Sequence, residues 1–179
     1  MPKTIRVRLS QQSIDNAIKE VMKYRDDLKT KVAVFTDRLK EYGIEVVNAY
    51  MKNIPNPTGA TNFDSGTDYW NFNTDDSETT ASGAVATAII RVSGERLLYV
   101  EFGYGVTAMH SPHPTGMYGA GTNSPAGHGT DEKGWWYTGT DGESHHTYGA
   151  VAYAPVWSTA TYIRNNQGLI RRIAKEVFR

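Results

Sequence analysis

Ala84-Val85-Ala86-Thr87-Ala88-Ile89-Ile90-Arg91-Val92, then Ser93-Gly94-Glu95, then Arg96-Leu97-Leu98-Tyr99-Val100-Glu101-Phe102, is the stretch on which the fold turns. The first run is small and β-branched, the middle is a Gly-containing turn, and the last is an apolar return. Together they predict an antiparallel hairpin of 84–92 with 96–102. Downstream, Trp135-Trp136-Tyr137-Thr138 and His145-His146-Thr147-Tyr148 flank Gly139-Thr140-Asp141-Gly142 and predict a further hairpin. Residues 103–149 hold 11 of the 17 glycines and all five histidines, a long loop system of the kind that is functional or held by a partner.

Upstream of the hairpin, Ile5-Arg6-Val7-Arg8-Leu9 alternates apolar and polar and reads as a short strand. Ser10 or Ser13 then caps helix. Ile14, Ala17, Ile18, Val21, Met22 and Leu28 recur at three- and four-residue spacing, which predicts a stripe facing a core. Val32, Phe35, Leu39, Val46, Ala49 and Tyr50 continue it, so residues 11–53 are one long helix or two, with Gly43 as the interruption. Ile54-Pro55-Asn56-Pro57-Thr58-Gly59 ends the helix, because proline lacks the N–H and restricts the residue before it. Residues 55–82 form an acidic excursion in which Phe63, Tyr69, Trp70 and Phe72 call for burial on this chain or a neighbour.

At the other end, Pro155 suits a first helical turn, and Asn165-Asn166-Gln167-Gly168 suits a kink or restart. Arg171, Arg172, Lys175 and Arg179 lie where cations favour the helix dipole. The expected fold is α+β: an antiparallel sheet covered on one face by N-terminal and C-terminal helices, with long Gly-rich loops. It reads as a single domain over 1–179, with a helical part at 10–54, the acidic aromatic excursion at 55–82, a β-rich part at 83–149 and a C-terminal helix at 154–179.

Composition narrows the class. The chain has 179 residues, 19 Lys+Arg against 19 Asp+Glu, and no cysteine, which removes disulfides, a thiol nucleophile and thiolate metal sites. No apolar run approaches the roughly 20 residues of a membrane helix. The N-terminus lacks the apolar segment of a secretory signal, so a soluble protein made in the cytoplasm is expected. The neutral total is patchy. Residues 1–54 carry 11 basic and 7 acidic side chains, 55–83 carry none and 5, 84–163 carry 3 and 6, and 164–179 carry 5 and 1. An acidic middle between basic ends suits attraction between copies or a basic solvent face. It is weak for specific nucleic-acid recognition.

The histidines raise a metal reading. His110 and His113 lie three apart, His145 and His146 follow, and His128, Glu101 and Asp131 are possible helpers for a metal-dependent cell-wall hydrolase. The H-E-x-x-H helix is absent, and on a strand His145 and His146 point to opposite faces. No metal and no cofactor are therefore expected. No G-x-S-x-G elbow occurs, and Gly103-Tyr104-Gly105 lacks the Lys-Ser/Thr of a phosphate loop. Those glycines suit positive φ in a turn. Glu101 fits a catalytic carboxylate or, more commonly, a structural acceptor for nearby backbone or an inter-subunit cation. A non-catalytic protein is the expectation.

Tyr99-Val100-Glu101-Phe102-Gly103-Tyr104-Gly105 resembles the E-x-G-x-G element of tailed-phage neck and tail-completion proteins, the lambdoid gene-product-ten-like family. Pro55-Asn56-Pro57-Thr58-Gly59 resembles its Pro-x-x-Thr-Gly element, and Gly134-Trp135-Trp136-Tyr137 its Trp-x-Tyr segment. Gly149-Ala150-Val151-Ala152-Tyr153-Ala154-Pro155 is similar to the Gly-x-x-Ala/Pro-x-Pro element before the closing helix. The order of elements agrees over most of the chain, which departs from the pattern at about 60–80 and 103–134. The resemblance implies a structural subunit at the head–tail junction of a virion, made in the host cytoplasm and forming a ring of its own copies. A tail terminator or head-closure ring is the alternative. Its implied partners are adjacent head-closure, tail-terminator or tail-tube proteins, with DNA passing through the ring and no membrane. The candidate interface residues are the excursion aromatics Phe63, Tyr69, Trp70 and Phe72, the Glu101, Phe102, Gly103, Tyr104 and Gly105 element, and Tyr118, Trp135 and Trp136.

Overall fold

The computed structural model describes residues 10–56, 69–94, 96–105, 107, 113–116 and 133–179. The fold is α+β, with four helices and two antiparallel hairpins among the described residues. In chain order these are α1 (Gln11–Lys52), β1 (Glu78–Ser82), β2 (Val85–Ile89), α2 (Leu97–Phe102), β3 (Trp135–Thr138), β4 (Ser144–Thr147), α3 (Pro155–Asn165) and α4 (Gln167–Val177). No helix among the described residues is long and apolar enough to cross a membrane. The expected strand at 5–9 lies outside the described residues.

The chain divides into two compact units, one built from Met1–Tyr42, Ser77–Ile90 and Asn166–Arg179, the other from Gly43–Asp76 and Arg91–Asn165. In the first, Ser10 Oγ accepts the Ser13 N–H and starts α1, which runs through Gly43 without a break. β1 and β2 pair from Glu78↔Ile89 to Ser82↔Val85 across Gly83-Ala84. Thr79 Oγ1 donates to Asp37 Oδ1 at 2.8 Å, which ties β1 to α1, and Lys40 Nζ reaches the same oxygen at 2.7 Å. These two partners, Lys40 first, hold the Asp37 carboxyl below the usual carboxylate range. The terminal helix α4 starts where the Asn166 side chain accepts the Leu169 N–H, and it buries Leu169 and Ile173. Its end meets α1. The Phe178 ring lies 5.8 Å from Phe35, and Arg38 pairs with Glu176 at 3.0 Å.

Two expectations change here. The hairpin partner of 85–89 is the upstream run 78–82, and 97–102 is a helix. Residues 97–102 do not alternate. The buried Val100 and Glu101 and the half-buried Leu97 fall at helical spacing, so one helical turn buries all three together. The helix begins with the Leu97 N–H on the Gly94 carbonyl and the Val100 N–H on that of Arg96. The second change concerns the α1 stripe. Ile14, Ile18, Val21, Met22 and Leu28, which were expected to face a core, are exposed, Ile18 by 52% and Val21 by 54%. Burial in α1 is concentrated at its C-terminal end.

In the second unit, Val47 and Met51 are fully buried, with Ile54, Trp70, Val100 and Ala154 completing the apolar core. The Trp70 Nε1–H donates to the Pro55 carbonyl, its ring meeting Tyr69 edge-on at 4.8 Å. Asn73 and Ser93 exchange backbone hydrogen bonds at 2.9 Å, which anchors the end of the aromatic excursion. β3 and β4 pair from Trp135↔Thr147 to Thr138↔Ser144, so the expected hairpin is present with its second strand one residue earlier.

Candidate functional site

The most chemically loaded cluster surrounds Glu101, and its logic begins at the start of α3. A helix N-terminus presents unpaired N–H groups. The residue before α3 is Ala154, which has no side chain able to cap, and Pro155 has no N–H at all. The first free donors are therefore Val156 and Trp157. Glu101 on α2 takes both, Oε2 from Val156 N and Oε1 from Trp157 N, each at 2.9 Å. A carboxylate there also meets the positive end of the helix dipole. The two chain segments are held together by backbone as well, because the Tyr153 N–H donates to the Val100 carbonyl at 3.0 Å.

Glu101 Oε1 has a further partner. His113 Nε2 lies 3.3 Å away, and His113 Nδ1 faces Thr115 Oγ1 at 2.7 Å. The Thr115 backbone N–H also donates to Nδ1, which makes that nitrogen an acceptor and places the ring proton on Nε2, facing the carboxylate. His113 is 3% exposed and Glu101 7%. Phe102 and Trp157 flank the imidazole, with ring centroids at 4.8 and 6.0 Å. The buried carboxylate thus accepts two backbone N–H groups and one imidazole N–H, which is how a buried charge is accommodated.

Directly after α2 the backbone reverses. Gly103 and Gly105 both have positive φ, at 74° and 70°, the turn expected of them. A Cβ on Gly105 would lie 2.7 Å from the Tyr148 carbonyl oxygen, and one on Gly149 would collide with the Tyr104 carbonyl. This close approach lets Tyr104 and Ala150 exchange backbone hydrogen bonds, both 3.0 Å. The Tyr104 ring packs on Tyr99 and Trp135, and burial pushes its phenol up to about 12, helped by Tyr137, Tyr69 and Tyr153.

The remaining candidates separate cleanly. Trp70, Glu101, Gly103 and Gly105 are buried within this chain, and Tyr69, Phe72, Phe102, Tyr104 and Trp135 are half-buried. Trp136 is 68% exposed. Phe63 and Tyr118 lie outside the described residues, as do His110, His128 and Asp131. The adjacent histidines of β4 diverge. His145 Nε2 meets Asp141 at 2.8 Å, whereas His146 Nε2–H donates to the Lys133 carbonyl between the Trp136 and Tyr148 rings. The Asp141 carboxyl is held below the usual range by the Glu143 N–H first and by His145 second. Among the described residues, no three His, Asp or Glu gather where a metal ion could be held.

The sequence pointed to Glu101 as an acceptor for backbone, but its pairing with Val156, Trp157 and His113 is carried only by the fold. The available signal was a helix start, Ala154-Pro155, that cannot cap itself. No protein-family model, no curated protein and no solved structure matches this chain.

Proposed function

We propose that this chain is a structural subunit of a tailed-phage virion, a neck or tail-completion ring protein that joins head to tail without catalysis. The observation that carries this reading is the meeting of the two segments that bear the resemblance. The E-x-G-x-G element at 101–105 and the segment 147–156 form one junction, through the Tyr104–Ala150 pairing, the Gly105–Gly149 approach and the Glu101 cap on Val156. Elements that co-occur in a family because they build one structural joint would have to touch, and these do. The use of Glu101 as a helix cap, with His113 behind it, also suits a part whose business is shape. The acidic middle and basic ends of the sequence support contact between unlike faces of neighbouring copies.

The test is the virion. A tagged copy of this chain should appear in purified particles, and labelling should place it at the head–tail junction in several copies. Absence from particles, or label spread along the tail, would remove the proposal.

A further inference from the structure

We infer that residues 14–28 of α1 are a docking surface for a second copy of this chain, which lays the same helix against it in the antiparallel sense. This goes beyond the proposed function by naming a two-fold contact that pairs two copies, distinct from the unlike-face contacts that would close a ring, and it rests on that reading for its setting in the virion.

The first ground is spacing. Ile14, Ile18, Val21, Arg25, Leu28 and Val32 follow one another at alternating intervals of four and three residues, the seam of a coiled coil. The second is continuity. The seam goes on to Phe35, which already has a helical partner, since Phe178 at the end of α4 packs on it and the Arg38–Glu176 ion pair lies beside it. One turn before Phe35, the Lys31 ammonium donates to the Arg179 carbonyl at 3.4 Å. Beyond that point the same stripe is exposed from Leu28 to Ile14. Single exposed apolar residues are ordinary, but Ile14, Ile18, Val21 and Leu28 on one stripe, with Arg25 as its one charged position, are a surface that seeks a helix.

A second copy supplies that helix, and charge decides its direction. Parallel pairing in register would stack Arg25 on the partner's Arg25, two like charges in one apolar layer. Antiparallel pairing sets Ile18 on the partner's Leu28, Val21 on the stem of the partner's Arg25 and Ile14 on the partner's Val32, an overlap of about 28 Å. At the flanks Asp15 then faces the partner's Lys29, and Met22 meets the partner's Met22 on the two-fold axis. In the lone chain Asp15 accepts from the exposed Gln11 amide at 2.9 Å, and Lys29 sits 3.7 Å from Asp26, so both exposed heads are placed to turn to a partner.

Sedimentation equilibrium of the full-length chain over a wide concentration range tests this. The expected result is a reversible dimer whose dissociation constant rises at least about 100-fold in Ile18→Asp, with helicity unchanged because the site is exposed. Asp15→Lys should weaken the dimer about 3- to 10-fold, and Asp15→Lys with Lys29→Asp should restore it to within about twofold. The chain is free of cysteine, so Met22→Cys should oxidise to a covalent dimer across the axis. A wild type that stays monomeric throughout, or an Ile18→Asp variant that associates as wild type does, overturns the docking surface. So does a double charge swap no better than the single one. A chain found in virions despite those results would leave the head–tail reading standing, and a dimer of a chain missing from virions would do the reverse.

Discussion

The two ends of α1 carry the same three- and four-residue apolar spacing and meet opposite environments. Val47 and Met51, at 1% and 0% exposure, are sealed in the core of their unit, while Ile18 and Val21 are about half exposed. Amphipathic periodicity therefore says that a helix has an apolar face and leaves open what covers it. At Met51 the cover is the chain itself. At Phe35 it is the last turn of α4, and at Ile18 the matching surface is another helix of the same kind.

The sharpest way to break this comparison is truncation at each end. Met51→Ala should cost about 2–5 kcal/mol in denaturant unfolding, since it opens a cavity in a closed core. Glu101→Gln, in the same unit, should cost about 2–4 kcal/mol, because the amide puts donors against the N–H groups of Val156, Trp157 or His113. A loss under 1 kcal/mol for Met51→Ala would mean that this end is as open as the other.

Alkaline titration refines the contrast through Tyr104, whose folded phenol ionises at about 12 against an ordinary 10.0. A raised pKa means that its stabilising share is complete below pH 10 and is lost as pH rises through 12, roughly 2–3 kcal/mol. Burial also raises the Tyr137 and Tyr153 phenols, so ultraviolet-detected titration should show a late phase from several tyrosines, and Tyr104→Phe should remove its last step and reduce the stability loss. An unchanged late phase in the variant would remove the assignment.

What the sequence disclosed follows the same division between pattern and cover. The 135–148 hairpin was legible because two short runs flanking Gly139-Thr140-Asp141-Gly142 are a local signal, and the observed strands fall within one residue of the expected ones. The 84–102 hairpin was misread because Ala86, Thr87 and Ala88 pair equally well with either neighbour. The apolar run 97–102 offers a partner by composition alone, whereas the fold uses it as a helix that aims Glu101 at α3. The stop at Pro55, the break at Asn166 and the positive φ of Gly103 and Gly105 were legible as backbone requirements. The His113–Thr115 arrangement behind Glu101 was not, because His113 is set there by a tertiary contact that no spacing encodes.

Smaller effects test the cover at Phe35 and the open end. Asn166→Ala removes the side-chain cap of α4 and should cost about 1 kcal/mol, which thermal unfolding can resolve. Ile18→Ser, measured dilute, should change stability by less than about 0.5 kcal/mol, because the side chain leaves no core behind. A loss of several kcal/mol would show that Ile18 is buried within its own chain.

The most direct measurement is amide hydrogen exchange of the full-length chain at low and high concentration. Residues 14–28 should gain protection as concentration rises, while residues 47–54 show the same strong protection throughout. Protection of 14–28 that does not change with concentration, in a chain whose oligomeric state does, would contradict the central claim that this half of α1 is completed by a second copy.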